Sequence, residues 1–137
     1  MYPQCHTQVV KYKTSGLEGW LPLKEHSTYG ITRIHFVEKY DHAGYVRRYN
    51  YECKCFYPIQ GIQQSHIISW GNDPHNAPNT DPSLITKTEP HHCHYCKDNR
   101  RLRRENCTVR SLERAFTFVA YYIRNDISYD HDNPFLR

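Results

Sequence analysis

Three of the ten histidines and two of the six cysteines lie within nine residues, in the segment from Thr88 to Cys96. The segment reads TEPHHCHYC and follows a proline-rich stretch. A neutral imidazole exchanges protons near pH 7, whereas a charged imidazole is costly to bury. Clustered histidines are therefore expected at a solvent-facing site, and we expect any chemistry of this chain to occur there.

The histidines suit cleavage of a phosphodiester bond in RNA. This reaction needs a base for the 2′-hydroxyl proton, an acid for the departing 5′-oxygen and cations that hold the charge of the phosphate. In an extended segment His92 and His94 point to one side and His91 to the other. We therefore expect His92 and His94 to react without a metal cofactor, and His91 to position them. Arg47 and Arg48 open a strand that could end near the site, and either is a further candidate for holding the phosphate, with a solvated strand end as the alternative.

A basic segment follows the histidines. From Lys97 to Arg114 seven basic side chains stand against three acidic ones, so this segment alone accounts for the net charge of +4 of the whole chain. Its densest part contains the four candidate nucleic-acid-binding arginines, Arg100, Arg101, Arg103 and Arg104. This concentration of positive charge indicates an anionic partner, and nucleic acid is favoured over a membrane because no apolar amphipathic face accompanies the arginines.

Metal binding is the alternative to catalysis. Cys93 and Cys96 have the C-x-x-C spacing of zinc sites, and Cys53 and Cys55 could supply the other two thiolates of a structural zinc site. The chain would then be a zinc-stabilised nucleic-acid-binding protein without catalytic activity. Cys53 and Cys55 lie two residues apart on one face of a strand, however, and both also fit the role of small buried hydrophobic residues.

Aromatic residues offer a second means of contacting nucleic acid. Trp70 precedes the long proline-rich loop, where it can anchor that loop or serve as a platform on which a base stacks. The twelve tyrosines favour half-buried sheet faces whose hydroxyl groups remain available for hydrogen bonds. Such a face would also suit an interaction protein that has no nucleic-acid role.

Two runs rich in β-branched and aromatic residues predict an antiparallel hairpin. They cover residues 28–40 and 45–57, and the turn residues Asp41 to Gly44 join them. Segments 9–13 and 65–70 read as further strands, whereas 16–22 is predicted to be a turn or a single helical turn. Segment 71–90, with four prolines, is predicted to be a long loop of functional importance.

An apolar stripe at helical spacing predicts one helix near the C-terminus. The stripe consists of Val109, Leu112, Phe116, Val119 and Ile123. Thr108 or Ser111 suits the N-cap, and the polar tail from Asp126 is expected to be partly ordered. The predicted fold is therefore a single α+β domain, residues 1–137, with an antiparallel sheet of four to five strands covered by one main C-terminal helix.

The N-terminal sequence MYPQCHTQVV has neither the charged region nor the apolar region of a secretory signal, and no run is long and apolar enough to cross a membrane. We therefore expect a cytoplasmic protein with no membrane partner. In that compartment the six cysteines are expected to be thiols or metal ligands rather than disulfides.

Four short motifs follow one another in the second half of the chain. They are Trp70, Asn76-Ala77-Pro78, Pro90-His91-His92-Cys93-His94 and Ser111-Leu112-Glu113. In this order they resemble the TumE family of bacterial and archaeal toxin–antitoxin systems. The resemblance implies a small growth-inhibiting toxin that acts on RNA and is paired with a cognate DNA-binding antitoxin protein. A homodimer is compatible with this interpretation.

Overall fold

The computed structural model describes residues 9–13, 15–59, 62, 65–74, 81–82, 85–96 and 101–125. The elements are β1 (Val9–Lys13), β2 (Gly16–Pro22), β3 (Thr32–Tyr40), β4 (Val46–Cys55), β5 (His66–Gly71), β6 (His92–His94), β7 (Arg104–Glu105) and α1 (Leu112–Asn125). Arg100, much of the predicted long loop and the predicted C-terminal tail lie outside the described residues.

The seven strands form one antiparallel sheet in which neighbours along the chain are also neighbours in the sheet. Each connection is therefore local, as is common for antiparallel strands. The predicted α+β class is confirmed, as are the single antiparallel sheet and the C-terminal helix. The sheet has more strands than the four to five predicted.

The predicted hairpin is formed by β3 and β4. Its turn is held by Asp41, whose carboxylate accepts hydrogen bonds from the backbone N–H groups of Ala43 (2.9 Å) and Tyr45 (3.0 Å). Gly44 has a φ angle of 89°, which a residue with a side chain rarely adopts. The alternating pattern of the two strands and this turn chemistry together fix which residues face each other across the hairpin.

Helix α1 covers one face of the sheet. Ala115, Val119 and Ile123 are buried on its inner side, and the ring of Phe118 meets that of Trp70 edge-on at a centroid distance of 4.9 Å. The hydroxyl of Ser111 accepts a hydrogen bond from a backbone N–H in the first helical turn (3.2 Å). Ser111, one of the two predicted caps, therefore satisfies a donor that the helix start leaves unpaired.

Segment Gly16–Pro22 is a strand, so the predicted turn or helical turn is wrong. It pairs with β3 along its whole length. Gly16 permits this close approach, because a Cβ atom at this position would lie 2.9 Å from the carbonyl oxygen of Glu38. Glycine and proline disfavour strands in isolation, and here pairing with a neighbouring strand overrides that preference.

The sheet presents two chemically different faces. On the helix side, Phe36, Tyr51, Trp70 and Cys93 face one another in one row across four strands, and all four are buried. On the opposite side, which we call the polar face, the corresponding row is His35, Glu52, Ser69 and His94. The part of the chain that the structure describes contains no helix long and apolar enough to cross a membrane.

Candidate functional site

Strand β6 separates the three clustered histidines as the sequence predicts. His92 and His94 both lie on the polar face, and their rings meet edge-on with centroids 5.0 Å apart. His91 lies on the other side, where its Nδ1 is 2.9 Å from the hydroxyl of Tyr49. The alternation of side chains along the strand thus brings together the two histidines expected to react.

His92 is held in one orientation and is buried, with 3% of its surface exposed. Its Nδ1 lies 2.9 Å from the carbonyl oxygen of Pro90. Because a carbonyl only accepts hydrogen bonds, Nδ1 carries a proton and donates it to this oxygen. Burial contradicts the expectation that the whole cluster faces solvent.

His66 is a further histidine of this site that sequence reasoning missed. Its Nε2 lies 2.9 Å from the hydroxyl oxygen of Ser69, and its ring is edge-on to that of His94 at 6.3 Å. Both His66 and Ser69 are buried. The pairing of β4 with β5 shifts register beside His66, and no local sequence pattern indicates such a shift.

His94 opens onto a groove of about 660 Å³ on the polar face. Its described lining consists of Val37, Lys39, Arg47, Arg48, Tyr49, Asn50, Ser69, Asp73 and His94. Arg47, predicted to hold a phosphate, is therefore brought to the same groove as His94. Lys39 was not expected there, because its position depends on the register between β3 and β4.

The positive side chains of the groove differ in how firmly they are held. Arg48 donates a hydrogen bond to the carbonyl oxygen of Asn72 (3.2 Å) and forms an ion pair with Asp73 (3.7 Å). Lys39 and Arg47 are exposed. The groove thus combines one fixed guanidinium group with two solvent-facing cations, a combination suited to holding a phosphate.

His91 belongs to a separate hydrogen-bond network on the helix side. The hydroxyl of Tyr49, which contacts His91, also accepts a hydrogen bond from the side-chain amide of Asn106 (3.2 Å). Burial raises the pKa of Tyr49 to about 12, and burial together with the positive charge of Arg110 lowers the pKa of His91. This network favours a neutral His91 that fixes the segment leading into β6, rather than one that reacts in the groove.

The four candidate zinc ligands do not form a metal site. Cys53 on β4 and Cys93 on β6 are separated by strand β5, and both are buried thiols, like Cys55 and Cys96. Burial raises the pKa of Cys53 and of Cys93 to about 12. Within the described ranges no group of three or more His, Cys, Asp or Glu residues could hold a metal ion. The structure thus does not bring together the four cysteines of the alternative zinc site.

The described arginines of the basic segment have different surroundings. Arg101 is exposed. Arg104 lies over the ring of Tyr95, with its guanidinium carbon 4.6 Å from the ring centroid. Burial lowers the pKa of Arg103, and the charges of Glu89 and Asp73 oppose this effect. Arg103 and Arg104 thus contact the protein itself, and the described cations that line the groove come from β3 and β4 instead.

Trp70 is buried, with 3% of its surface exposed. Its ring packs against Phe118 of α1 and faces Cys93 across the strands. A base cannot stack on a ring enclosed in this way, so the predicted nucleic-acid-binding role of Trp70 is wrong. Trp70 instead anchors the end of β5 in the core.

Comparisons with known proteins returned no relative from which a function could be transferred. A scan against protein-family models, a search of curated proteins and a search of solved structures all found no match. The function is therefore inferred from the residues and the geometry of the groove.

Proposed function

We propose that this chain is a metal-independent endoribonuclease that acts as the toxin of a toxin–antitoxin system, with His94 as the reacting imidazole. The observation that carries the proposal is the groove in which partly exposed His94 shares an open surface with Lys39, Arg47 and Arg48. An imidazole that can accept and return a proton, in one groove with several cations, provides the groups that cleavage of RNA by its own 2′-hydroxyl requires.

In the proposed reaction the RNA strand lies in the groove, with the scissile phosphate at His94 and the backbone held by the three cations. Neutral His94 accepts the proton of the adjacent 2′-hydroxyl, and the 2′-oxygen forms a new bond to phosphorus. The bond from phosphorus to the 5′-oxygen breaks, and the imidazolium of His94 returns the proton to that oxygen. Lys39, Arg47 and Arg48 stabilise the additional negative charge that develops on the phosphate oxygens. The products are a 2′,3′-cyclic phosphate and a 5′-hydroxyl.

Neighbouring residues of the polar face support this role of His94. The ring of His92, held through Nδ1 by the Pro90 carbonyl, meets His94 edge-on. His66 contacts the hydroxyl of Ser69, the residue that pairs with His94 across β5 and β6. Both histidines limit the orientations that the His94 ring can adopt, which keeps a reacting group in its productive geometry.

The order of the sequence motifs supports the assignment to a toxin–antitoxin system. The histidine motif of the TumE family provides β6, and Ser111-Leu112-Glu113 opens helix α1. By this proposal the protein acts on RNA in the cytoplasm and is neutralised by a cognate antitoxin protein. Induced expression in a bacterial host should then arrest growth, and His94→Ala should remove the arrest.

A cleavage assay on purified protein tests the enzymatic part. The wild-type chain and His94→Ala are each incubated with labelled single-stranded RNA in an excess of chelator, beside the same sequence made entirely of DNA. His42→Ala is the matched control, because His42 is exposed in the β3–β4 turn. We expect cleavage of RNA only, and a rate at least about 100-fold lower for His94→Ala. Binding without cleavage, or cleavage that the chelator abolishes, would overturn the proposal.

A further inference from the structure

Beyond the groove, strand β3 carries an accessible row of side chains along the polar face. The row, which we call the β3 stripe, consists of Arg33, His35, Val37 and Lys39. Lys39 is exposed and the other three are partly exposed. Lys39 lines the groove that His94 also lines, and Arg33 lies about 20 Å from Lys39 along the strand, at roughly 3.4 Å per residue. The pairing register places His94 in the row of His35, three strands away, so the Cα atoms of Arg33 and His94 lie roughly 16 Å apart.

Both ends of the β3 stripe place two positive charges directly opposite each other. Lys39 pairs with Arg48 and Arg33 pairs with Lys54 across β3 and β4. Like charges at directly opposed positions destabilise an antiparallel pair. Two such pairs on one face of one hairpin therefore oppose folding, and an anionic ligand bound along this face would relieve the repulsion.

The carboxylates near the stripe pair with other cations and leave Arg33 and Lys39 without a carboxylate partner among the described residues. Glu18 contacts His35 (3.4 Å), Glu52 contacts Lys54 (3.2 Å) and Asp73 contacts Arg48 (3.7 Å). Across the ranges that the structure describes, neither Arg33 nor Lys39 forms an ion pair. Each end of the stripe thus has one cation, Arg33 or Lys39, that can bind an external anion.

Aromatic rings surround the far end of the stripe. The guanidinium carbon of Arg33 lies 5.1 Å from the ring centroid of Trp20 and 5.6 Å from that of Phe56. The rings of Phe56 and Tyr57 lie 5.4 Å apart, and these side chains are 41% and 66% exposed. Exposed aromatic rings beside cations are the usual binding platform for single-stranded nucleic acid, because bases stack on the rings while phosphates meet the charges.

We infer that the far end of the β3 stripe is a second binding subsite for the RNA strand that is cleaved in the groove. One phosphate contacts Arg33 and Lys54, and a neighbouring base stacks on Phe56 or Tyr57. The inference rests on the proposed function, and it specifies the substrate class as single-stranded RNA long enough to reach from His94 to Arg33, roughly 16 Å. A dinucleotide bound at His94 is too short to reach these rings, and a duplex has no unstacked base that could stack on them.

Binding and cleavage measurements on the full chain test this subsite. The binding probes are a fluorescent 12-nucleotide single strand with 2′-O-methyl groups, which cannot be cleaved, and a dinucleotide of the same chemistry. The variants are Arg33→Gln and Phe56→Ser, and the matched control is Arg114→Gln, an exposed arginine on α1. Circular dichroism and urea unfolding verify that each variant is folded.

We expect Arg33→Gln and Phe56→Ser each to weaken binding of the 12-nucleotide strand by about 5-fold or more. The slope of log affinity against log salt should become shallower by about 0.7 for Arg33→Gln, as for one lost phosphate contact on a single strand. Dinucleotide binding should stay unchanged, as should both probes with Arg114→Gln. In cleavage of the longer RNA, KM should rise while kcat changes little.

The outcomes separate this subsite from the proposed function. If the chain cleaves RNA but Arg33→Gln and Phe56→Ser bind the long strand as the wild type does, the subsite is wrong and the nuclease stands. If both variants lose long-strand affinity but no RNA is cleaved, the binding surface stands and the nuclease is wrong. Equal losses for the dinucleotide and the long strand would overturn the subsite, because they would indicate a general change in the sheet.

Discussion

Lys39 and Arg48 lie directly opposite each other on β3 and β4, with both side chains at the groove that His94 enters. Asp73 forms an ion pair with Arg48, whereas Lys39 forms none with any residue that the structure describes. A fold optimised for stability alone would avoid this arrangement. In an enzyme that binds phosphate the same arrangement is useful, because two nearby cations stabilise the negative charge of the bound phosphate.

Lys39→Gln should therefore separate stability from activity. Removing one of two opposed positive charges should leave the free energy of unfolding unchanged or raise it by roughly 0.2–1 kcal/mol at low salt. The same change should lower the rate of RNA cleavage, since the groove loses a cation. Urea unfolding and a cleavage assay measure the two effects. A variant that lost stability and activity together would show that Lys39 has a structural role, and Lys87→Gln provides a control for the loss of one lysine.

His91 should make stability depend on pH. Its pKa is lowered in the folded protein by burial and by Arg110, so the unfolded chain binds a proton more readily. This part of the stability is fully present above the unfolded pKa of about 6.5, and it decreases as the pH falls from there through the folded pKa. His91→Gln should show a smaller loss of unfolding free energy between pH 7 and pH 5 in urea titrations. Equal pH profiles for the two proteins would contradict the assignment.

Trp70 should matter for stability and not for RNA binding. Its side chain is buried against Phe118, so Trp70→Ala should lower the free energy of unfolding by about 3–5 kcal/mol. Trp70→Phe retains an aromatic ring and should lower the free energy of unfolding by less than Trp70→Ala does. In the folded Trp70→Phe variant, the affinity for a single strand measured by fluorescence anisotropy should equal that of the wild type. A selective loss of affinity would show that Trp70 contacts the nucleic acid after all.

Cys53 should behave as a small hydrophobic residue. It is a buried thiol whose pKa burial raises to about 12, so Cys53→Ala should be tolerated better than Cys53→Ser. The serine hydroxyl would need a hydrogen-bond partner in the core. Without such a partner the free energy of unfolding should fall by about 1–3 kcal/mol. Thermal unfolding in excess chelator should give the same Tm as in its absence. If Cys53 were a zinc ligand, both substitutions would lower the stability equally, and the Tm of the wild type would fall in chelator.

Patterns within short segments were sufficient to predict much of the fold. The alternating residues of β3 and β4 and the turn at Asp41 and Gly44 predicted the hairpin, because strand period and turn chemistry act between near neighbours. The spacing of apolar residues and the cap at Ser111 predicted α1 for the same reason. Alternation along β6 also placed His92 and His94 on one face and His91 on the other.

Contacts between distant segments decided the rest. Strand β2 forms because β3 lies beside it, which its glycines and proline do not indicate. The meeting of Lys39, Arg48 and His94 depends on the register of β3, β4, β5 and β6, and a shift of one residue in any of these pairs would turn the side chains to the other face. His66 joins His94 through a register irregularity in β4 and β5, and Trp70 and Cys53 are enclosed where α1 packs on the sheet. The residue types of the site were thus present in local motifs, but pairing and packing over long sequence separations determined which of them face the groove.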